Sequence, residues 1–394
     1  MERPEQIRLL QSLIKRLDTD TNVDAGGFRR NPTSSYVDAD LAAAERRQFF
    51  HAEPQVLGLS GDLPEPGSFL TFDDLDVPVL ATRDADGRFR AFVNSCRHRG
   101  VVLESRPRGS ARRFVCEFHN WTYDTAGTLV GLPKQEHFGS VDQSCLGLVE
   151  LPAEERHGIL WAVLDPEGSI DLDEALGPEL SAELESWGFG SLLRLGFDRY
   201  DVACNWKLAM DTFGETYHFS ALHSDSLFGV FHGNVQCYDT FGRNHRMILC
   251  RRAIDEMRHW PEDQWQITVG ALPVYWLFPN VQLLPNQNGM YIVRAFPHPD
   301  DPGRHVSQID FYIHPHRANE EDTVELFRAV SQGFAEIIRD EDYKASASQQ
   351  RSASSGALPE VLFGRNEPAL HHYHNTYRHE LGLEPLPLLA SVDS

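Results

Sequence analysis

The pattern of hydrophobic and polar positions differs between two regions of the first half of the chain. Apolar residues recur at helical spacing near the start, which predicts an amphipathic helix before Ala25-Gly26-Gly27 interrupts the pattern. Residues 50–165 instead hold short apolar runs separated by turn residues. Two of these runs flank Asp86-Gly87, a strong β-hairpin signal. Residues 50–165 therefore predict a small all-β domain.

The second half of the chain mixes long strands with helices. Residues 166–195 are acidic, and their pattern predicts loops with short helical patches. Residues 230–315 are strand-rich, and residues 319–346 carry the apolar spacing of a long amphipathic helix. This order predicts an α+β layer in which helices cover one side of an antiparallel sheet.

These hydrophobic patterns predict three regions and an α+β fold class. The first is an N-terminal helical segment, residues 1–47, that packs on the C-terminal domain. The second is the all-β domain, residues 48–165, and the third is the α+β domain, residues 166–394.

Composition and charge exclude several classes of function. The 394 residues include 36 Lys and Arg against 58 Asp and Glu, a net charge of −22. This balance argues against nucleic-acid binding and against a polybasic membrane anchor. No apolar run approaches the roughly 20 residues of a membrane helix, and the first residues lack a signal-peptide core. Six cysteines do not form a disulfide framework, so we expect a cytoplasmic protein.

Two short segments each combine one cysteine with one histidine. Cys96 and His98 stand in C-x-H spacing, and Cys116 and His119 stand in C-x-x-H spacing. A structural zinc site also takes two Cys and two His, but zinc fingers usually pair like residues within one loop. A Rieske-type [2Fe–2S] cluster needs two Cys on one iron and two His on the other. The alternation favours the cluster over zinc.

A second group of metal-binding residue types lies downstream. His218 and His223 are five residues apart, so both face one metal only if the helix bulges or breaks there. A 2-His-1-carboxylate iron site needs one further carboxylate. The end of the long helix offers Asp340, Glu341 and Asp342, and helical spacing does not choose between the last two.

Three stretches resemble one known family, the α subunits of Rieske non-haem iron, ring-hydroxylating oxygenases. They are FVNSCRHRG (92–100), FVCEFHNWTYDTAGTL (114–129) and NWKLAMDTFGETYHFSALH (205–223). The resemblance implies a Rieske domain at 48–165 and a mononuclear iron catalytic domain of helix-grip, START-like fold at 166–394.

The resemblance also implies the ligand sets. Cys96 and Cys116 would hold one iron of the [2Fe–2S] cluster, and His98 and His119 would hold the other. His218 and His223 would hold the mononuclear Fe(II). Their third ligand would be the second member of an acidic pair that is followed seven or eight residues later by glutamine.

In this chain the pair Glu341-Asp342 precedes Gln349-Gln350, which favours Asp342 as the ligand, with Glu341 as the alternative. By resemblance, Glu215 is the acidic bridge that links His218 to the neighbouring chain's cluster. Asp211 stands where the family often has a polar residue near the iron.

The implied function is the oxygenase component of a multicomponent system. Electrons would come from NAD(P)H through a reductase, with or without a ferredoxin, and O₂ would hydroxylate an aromatic or other hydrophobic ring substrate. The implied assembly is a homotrimer, with an α3β3 complex as the alternative. Glu215 is a departure from the Asp of many members, and it raises an alternative function, N- or O-demethylation or monooxygenation of a quaternary ammonium or methoxy compound.

Other side chains have weaker predictions. Arginines crowd the first cluster segment, either as a solvated loop or as a docking surface for an acidic electron donor. Arg251 and Arg252 are expected in surface ion pairs, with a substrate carboxylate as the alternative. Cys145, Cys204, Cys237 and Cys250 are expected to be buried small residues, and the histidines of 371–379 to belong to a solvated or packed helix. The expected pocket candidates are Phe213, Phe219, Leu222, Phe228, Phe231, Met247, Trp276, Phe278 and Leu283.

Two other classes of protein fit part of the sequence pattern. A pure electron carrier needs only residues 50–165 and leaves the larger C-terminal region unexplained. A structural zinc protein has no redox role and is colourless, whereas an iron–sulfur protein is red-brown.

Overall fold

The computed structural model describes residues 1–390, which divide into two compact units. The small unit comprises residues 47–172 and 188–193. The large unit comprises residues 1–46, 173–187 and the chain from 194 onward. The described residues contain no helix that is both long and apolar enough to cross a bilayer.

The α-helices in residues 1–390 range from single turns to 17 residues. In chain order they are α1 (Arg3–Thr19), α2 (Ala39–Glu45), α3 (Leu172–Glu185), α4 (Trp206–Asp211), α5 (Ile254–Met257), α6 (Ile267–Gly270), α7 (Pro315–Ala318), α8 (Glu321–Ile337), α9 (Tyr343–Ser354) and α10 (Pro368–Glu380).

The strands are short in the first half of the chain and long in the second. In chain order they are β1 (Arg29–Pro32), β2 (Gln55–Leu59), β3 (Ser68–Phe72), β4 (Val79–Arg83), β5 (Phe89–Val93), β6 (Arg108–Ser110), β7 (Arg113–Val115), β8 (Thr122–Asp124), β9 (Leu129–Gly131), β10 (Glu150–Leu151), β11 (Ala153–Arg156), β12 (Ile159–Ala162), β13 (Leu193–Val202), β14 (Phe231–Phe241), β15 (Asn244–Arg251), β16 (Ala271–Leu277), β17 (Val281–Pro285), β18 (Gly289–Pro297), β19 (His305–Ile313) and β20 (Glu360–Phe363).

The small unit is built from three antiparallel sheets. One has the order β10-β5-β4-β3-β6, one β11-β12-β2 and one β7-β8-β9. The predicted hairpin is confirmed, because β4 and β5 pair around the turn at Gly87, which has a φ of +79°. The turn between β8 and β9 also requires glycine. Gly127 has a φ of +77°, and a Cβ there would lie 2.5 Å from the ring of Phe92.

The large unit is organised around one seven-stranded antiparallel sheet of order β13-β19-β18-β17-β16-β15-β14. Successive residues of a strand point to opposite faces, so Leu249 and Cys250 on β15 belong to different layers. Cys250 packs with Leu9, Leu10 and Leu13 of α1 in one buried cluster. Leu249 points to the opposite face, where the cavity described below lies under α8. The predicted α+β layer is confirmed.

The structure refines two helical expectations. Residues 166–195 were expected to form loops with short helical patches, and 14 of them form α3, whose two short pieces are divided by a kink where Gly177 adopts a φ of +69° before Pro178. The kink interrupts the helical pattern and hides it from periodicity analysis. The helix expected at 319–346 is also not continuous, since a π-helical segment, Ile338–Asp342, separates α8 from α9.

Candidate metal centres

The two cysteine–histidine segments form loops with the same backbone pattern. The Cys96 N–H donates to the carbonyl of Val101, and the Cys96 carbonyl accepts from the N–H of Gly100. Cys116 repeats both bonds, again with partners five and four residues later, at 2.8 Å each. The fourth residue after each cysteine, Gly100 or Asn120, has a left-handed φ of +75° or +58°. The two loops are therefore structural equivalents despite their different spacing.

The thiols of these loops point inward and the imidazoles point outward. Cys96 and Cys116 are each 2% exposed, whereas the His119 side chain is exposed. The rings of His98 and His119 are 4.6 Å apart between centroids, and Trp121 stacks on His98 at 5.0 Å. The two thiols thus lie in one buried cluster and the two imidazoles lie side by side, which is the arrangement of a Rieske cluster's paired donors.

The surroundings of the thiols are apolar apart from one hydroxyl. Burial raises the pKa of Cys96, against the smaller effect of hydrogen bonds from the backbone and from Tyr123. The Tyr123 hydroxyl lies 3.6 Å from Cys96 Sγ and accepts a bond from the Arg97 N–H at 3.0 Å. Tyr123 thereby connects β8 to the first loop and supports the thiolate that a metal would require.

The second centre is assembled by three separate parts of the large unit. Strand β13 leads into α4, whose first turn is capped by the Asn205 side chain accepting from the Lys207 N–H. After α4 the chain breaks into a short 3₁₀ turn, Tyr217–Ser220, that carries His218. The break satisfies the requirement set by the five-residue spacing to His223. Asp342 is the last residue of the π-helical segment between α8 and α9.

His218, His223 and Asp342 each offer one ligand atom, and these atoms lie within 4.8 Å of one another. The Asp342 Oδ1 atom is 3.5 Å from His218 Nε2 and 3.3 Å from His223 Nε2. The Nε2 atom of His218 is buried and has no hydrogen-bond partner. A buried nitrogen without a partner is costly unless a ligand occupies it. Asp342, rather than Glu341, therefore faces both imidazoles.

A carboxylate fixes the other nitrogen of each imidazole. His218 Nδ1–H donates to Glu215, and His223 Nδ1–H donates to Glu341 at 2.6 Å. Glu341 Oε2 also accepts from Ser226 Oγ at 2.8 Å. Because Nδ1 of each ring faces a supporting carboxylate, Nε2 of each ring faces Asp342 and is the atom that would bind a metal. Glu341 thus occupies a supporting position behind His223.

These carboxylates control the protonation of the metal-free site. Burial lowers the pKa of His218, but the carboxylates of Asp342 and Glu215 outweigh it and raise the pKa to about 9. The same competition, with Asp342 and Glu341 prevailing, raises the pKa of His223. Burial favours protonation of Asp342, yet the bonds from the two histidines keep its pKa below the ordinary value. In the absence of metal, protons hold the site together.

Two cavities meet at this site. One is apolar and lies between the three ligands, the sheet and α8. Its wall includes Phe213, Phe219, Phe231, Leu249 and Phe334. The other lies on the side of Glu215, and its wall includes Tyr36, Asp211 and Glu367. The iron site therefore borders an apolar cavity on one side and a cavity lined by acidic side chains on the other.

Comparisons with known proteins identify both units. Residues 53–147 match the model of the Rieske [2Fe-2S] domain, and residues 189–382 match that of the ring hydroxylating alpha subunit (catalytic domain). The chain belongs to the family of Rieske non-haem iron ring-hydroxylating oxygenase alpha subunits.

Curated relatives of this Rieske oxygenase chain include aromatic-ring dioxygenases. It is 32% identical over 188 residues to the benzene 1,2-dioxygenase subunit alpha of Pseudomonas putida, which covers 46% of this chain and 42% of that protein. It is 32% identical over 221 residues to the chlorobenzene dioxygenase subunit alpha of Cupriavidus sp. (strain PS12), covering 54% and 49%. These matches span less than half of the relatives' own length.

Solved structures share the fold over nearly the whole Rieske oxygenase chain. The quaternary ammonium Rieske monooxygenase CntA superimposes with a TM-score of 0.75 at 19% identity, covering 91% of this chain and 96% of that one. Naphthalene 1,2-dioxygenase gives a TM-score of 0.72 at 20% identity, covering 90% and 92%. The predicted fold class is thus confirmed.

The residues of this Rieske oxygenase chain fit the cofactors of its family. Two inward thiols with two outward imidazoles suit a [2Fe–2S] cluster, and the ligandless Nε2 of His218 beside His223 and Asp342 suits a mononuclear iron. Iron held by these three side chains would keep positions open for other ligands, and the same side chains line the apolar cavity.

Asp211 occupies a network that the sequence did not reveal. Its carboxylate accepts from the Tyr36 hydroxyl at 2.9 Å and from His374 Nε2 at 2.9 and 3.1 Å. Asn31 donates to the Tyr36 hydroxyl at 3.0 Å, and all partners of Asp211 are buried. The histidines of 371–379 do lie on a helix, α10, as expected. His374 is in addition an electrostatic partner of the acidic cavity wall.

Other weaker predictions have mixed outcomes. Phe213, Phe219 and Phe231 line the apolar cavity, whereas Leu283 lies on the opposite face of β17 from the wall residue Leu284. Cys204, Cys237 and Cys250 are buried, but the prediction for Cys145 is wrong, because this thiol is exposed beside Asp142. No spacing rule separates this cysteine from the buried ones.

Proposed function

We propose that the protein is the oxygenase component of a multicomponent Rieske oxygenase. It would use O₂ and electrons that a reductase delivers from NAD(P)H to hydroxylate an aromatic or other hydrophobic ring substrate. The observation that carries the proposal is the pairing of two sites in one chain. A donor set for an electron-transfer cluster occurs with a 2-His-1-carboxylate site that opens onto an apolar cavity.

The role of the mononuclear iron, when bound, is to bind and activate O₂ at its open positions. The surrounding side chains do the rest. Glu215 and Glu341 hold the Nδ1 protons of the two ligand histidines, so that both Nε2 lone pairs face the metal. The phenylalanines of the cavity exclude water and shape the space that a substrate ring would fill.

We propose that electrons reach the iron site from the cluster of a neighbouring copy, which favours a homotrimer, with α3β3 as the alternative. On the small unit, Arg97 and Arg99 are exposed beside the outward His98 and His119. On the large unit, Asp211, Glu215 and Glu367 line the acidic cavity. These surfaces have complementary charge, and a docked cluster histidine would reach Glu215, which already holds His218.

The same basic surface suits an acidic ferredoxin or reductase as the external electron donor. Arg112 and Arg113 are exposed, and the described residues provide neither of them with a carboxylate partner. In contrast, Arg106 pairs with Glu104. Unpaired arginines beside a cluster attract a negatively charged partner and raise its association rate, an effect that salt suppresses.

The alternative function is oxidation of a quaternary ammonium or methoxy compound. It rests on Glu215 in place of the aspartate of many members and on the shared fold with a quaternary ammonium monooxygenase. The walls of the apolar cavity favour a ring substrate instead, because the described lining carries no acidic group apart from Glu215 and the ligand Asp342.

The test is a single turnover with labelled oxygen. The protein is reduced chemically without any reductase, mixed with a panel of benzene, naphthalene, aromatic acids, methoxybenzoates and trimethylammonium compounds, and exposed to ¹⁸O₂. The proposal predicts an ¹⁸O-labelled ring product from wild-type protein and none from an Asp342→Ala variant whose cluster is still oxidised. If the wild-type iron site is filled, the cluster is oxidised and no compound gains label, the proposal is wrong.

A further inference from the structure

Arg251 is a cation on the face of the sheet that forms the apolar cavity. It follows the wall residue Leu249 by two positions on β15, so both side chains rise from the same face. Across the ladder, Arg251 is the register partner of Phe231, another wall residue. The intervening residue, Cys250, belongs to the cluster on the other face. Strand geometry therefore places the Arg251 side chain on the same face of the sheet as Leu249, and its guanidinium lies over the ring of the wall residue Phe231.

The contacts of Arg251 leave its charge without a counter-ion. Its Nε–H donates to the Ala271 carbonyl at 3.2 Å, and its guanidinium lies over the Phe231 ring at 5.2 Å. In the part of the chain that the structure describes, no carboxylate lies within ion-pair distance, so the expected surface ion pair is absent. The terminal nitrogens, which form the fork that binds carboxylates, have no protein acceptor among the described residues.

The Arg251 side chain is partly buried. Burial lowers the pKa of Arg251, and the charge of Tyr291 opposes that effect. Tyr291 stacks on the wall residue Phe334 at 4.7 Å. Arg251 thus lies over one wall side chain, Phe231, and interacts with a second side chain that supports the wall. A guanidinium without a counter-ion at such a place favours an anionic partner.

A continuous row of rings links Arg251 to the metal site. Phe231 is 5.8 Å from Phe219, and Phe219 is 5.3 Å from the imidazole of His223. An apolar ring lying along this row would have one end at the metal ligands and the other near the guanidinium. The row of rings therefore has the metal ligands at one end and, at the other, a cation that can bind an oxyanion.

We propose that Arg251 binds the carboxylate of the substrate, and that the substrate class is aromatic or alicyclic carboxylic acids. This inference rests on the proposed oxygenase function and names the substrate class of the same site. A bidentate carboxylate would take the free nitrogens of Arg251 while its ring occupies the apolar cavity. The same charge repels a quaternary ammonium group, which decides against that alternative.

The test is anaerobic equilibrium binding to the reduced, iron-loaded protein, followed by tryptophan fluorescence. Three matched probes share one ring system: 2-naphthoate, naphthalene and trimethyl(2-naphthyl)ammonium. Wild-type protein should bind the acid at least about 10-fold more tightly than the neutral ring or the cation. Arg251→Gln should weaken 2-naphthoate binding by roughly 30-fold or more, the scale for losing one member of a desolvated charge pair, and change naphthalene binding by less than about 3-fold.

Matched variants separate charge recognition from a structural role. Arg252→Gln removes the neighbouring arginine, which bonds to the Phe228 carbonyl at 2.8 Å, and should leave the affinities unchanged. Arg251→Lys should retain part of the preference for the acid. It replaces Arg251→Gln in the binding test if the glutamine variant does not fold. Equal losses for acid and neutral ring in Arg251→Gln, an unchanged acid affinity, or wild-type protein that prefers the cation or binds no probe would overturn the inference. Failure of ¹⁸O incorporation with this binding pattern intact would count against the oxygenase proposal alone.

Discussion

The two histidine pairs of this protein occupy opposite environments. His98 and His119 lie at the outer end of two short loops, and burial together with the neighbouring His119 and Arg99 lowers the pKa of His98. His218 and His223 are enclosed by carboxylates that raise their pKa values. The lowered pKa of His98 favours the neutral imidazole that binds a metal. The second pair holds protons until a metal displaces them.

The two centres also differ in how the chain assembles them. Each cluster loop closes on itself through backbone bonds four and five residues apart. The iron site instead joins His218 and His223 to Asp342, more than a hundred residues later, through α8 and the π-helical segment. The comparison teaches that the cluster site depends on local loop chemistry, whereas the iron site depends on the packing of the whole large unit.

The largest expected effect is loss of the cluster. Cys116→Ser removes an inward thiolate that no other residue replaces, so the cluster and its visible absorption should disappear, while iron at the second centre is retained. Cys145→Ser is the matched control, because that thiol is exposed and should be dispensable. Absorption and sulfide content measure both. Loss of both centres in Cys116→Ser would contradict the conclusion that the two centres form independently.

The next largest effect is loss of the mononuclear iron alone. Asp342→Ala removes the carboxylate that faces both Nε2 atoms, and we expect iron affinity to fall by at least about 100-fold, more than the loss of a supporting residue causes. Product formation should stop while the cluster signal is unchanged. Asp340→Ala is the control, since Asp340 is exposed and bonded to Arg339. Equal iron loss in both variants would contradict the assignment.

A smaller effect is expected from the support behind His223. Glu341→Ala removes the acceptor of the His223 Nδ1–H bond and lets the imidazole ring rotate. Iron affinity should therefore fall roughly 10- to 100-fold, without an effect on the cluster. Glu341→Gln should recover part of the affinity, because its amide oxygen can accept the same proton. Glu325→Ala, on the exposed side of α8, provides the baseline. Iron titration of the apoprotein measures all three.

The sequence anticipated the two centres unequally, and the reason is physical. The cluster loops are local, so two short motifs contain all four ligands. For the third iron ligand, helical spacing did not choose between Glu341 and Asp342, because the extra residue per turn of the π-helical segment rotates the face of the helix. Only the family resemblance favoured Asp342. The pairing of Asp211 with His374 joins α4 to α10, and no periodicity connects residues so far apart.

The smallest effect is a pH dependence of iron binding at the second centre. The pKa of about 9 for metal-free His218 means that iron must displace a proton below that pH, and the raised pKa of His223 adds to the effect. Apparent iron affinity should rise at least about tenfold per pH unit above pH 7 and level off above pH 9. Conversely, the stabilisation of the apoprotein by this raised pKa is full below about 6.5 and is lost as pH rises through 9. An iron affinity that does not change with pH would contradict the conclusion that the surrounding carboxylates raise the pKa of His218.

The most direct test of two independent centres in one chain is an iron count combined with sulfide analysis. Wild-type protein, Cys116→Ser and Asp342→Ala are purified identically and reconstituted with ferrous iron and sulfide. The account predicts about three, one and two irons per chain, with sulfide absent only from the cysteine variant. Two irons in both wild-type protein and Asp342→Ala would show that His218, His223 and Asp342 hold no metal.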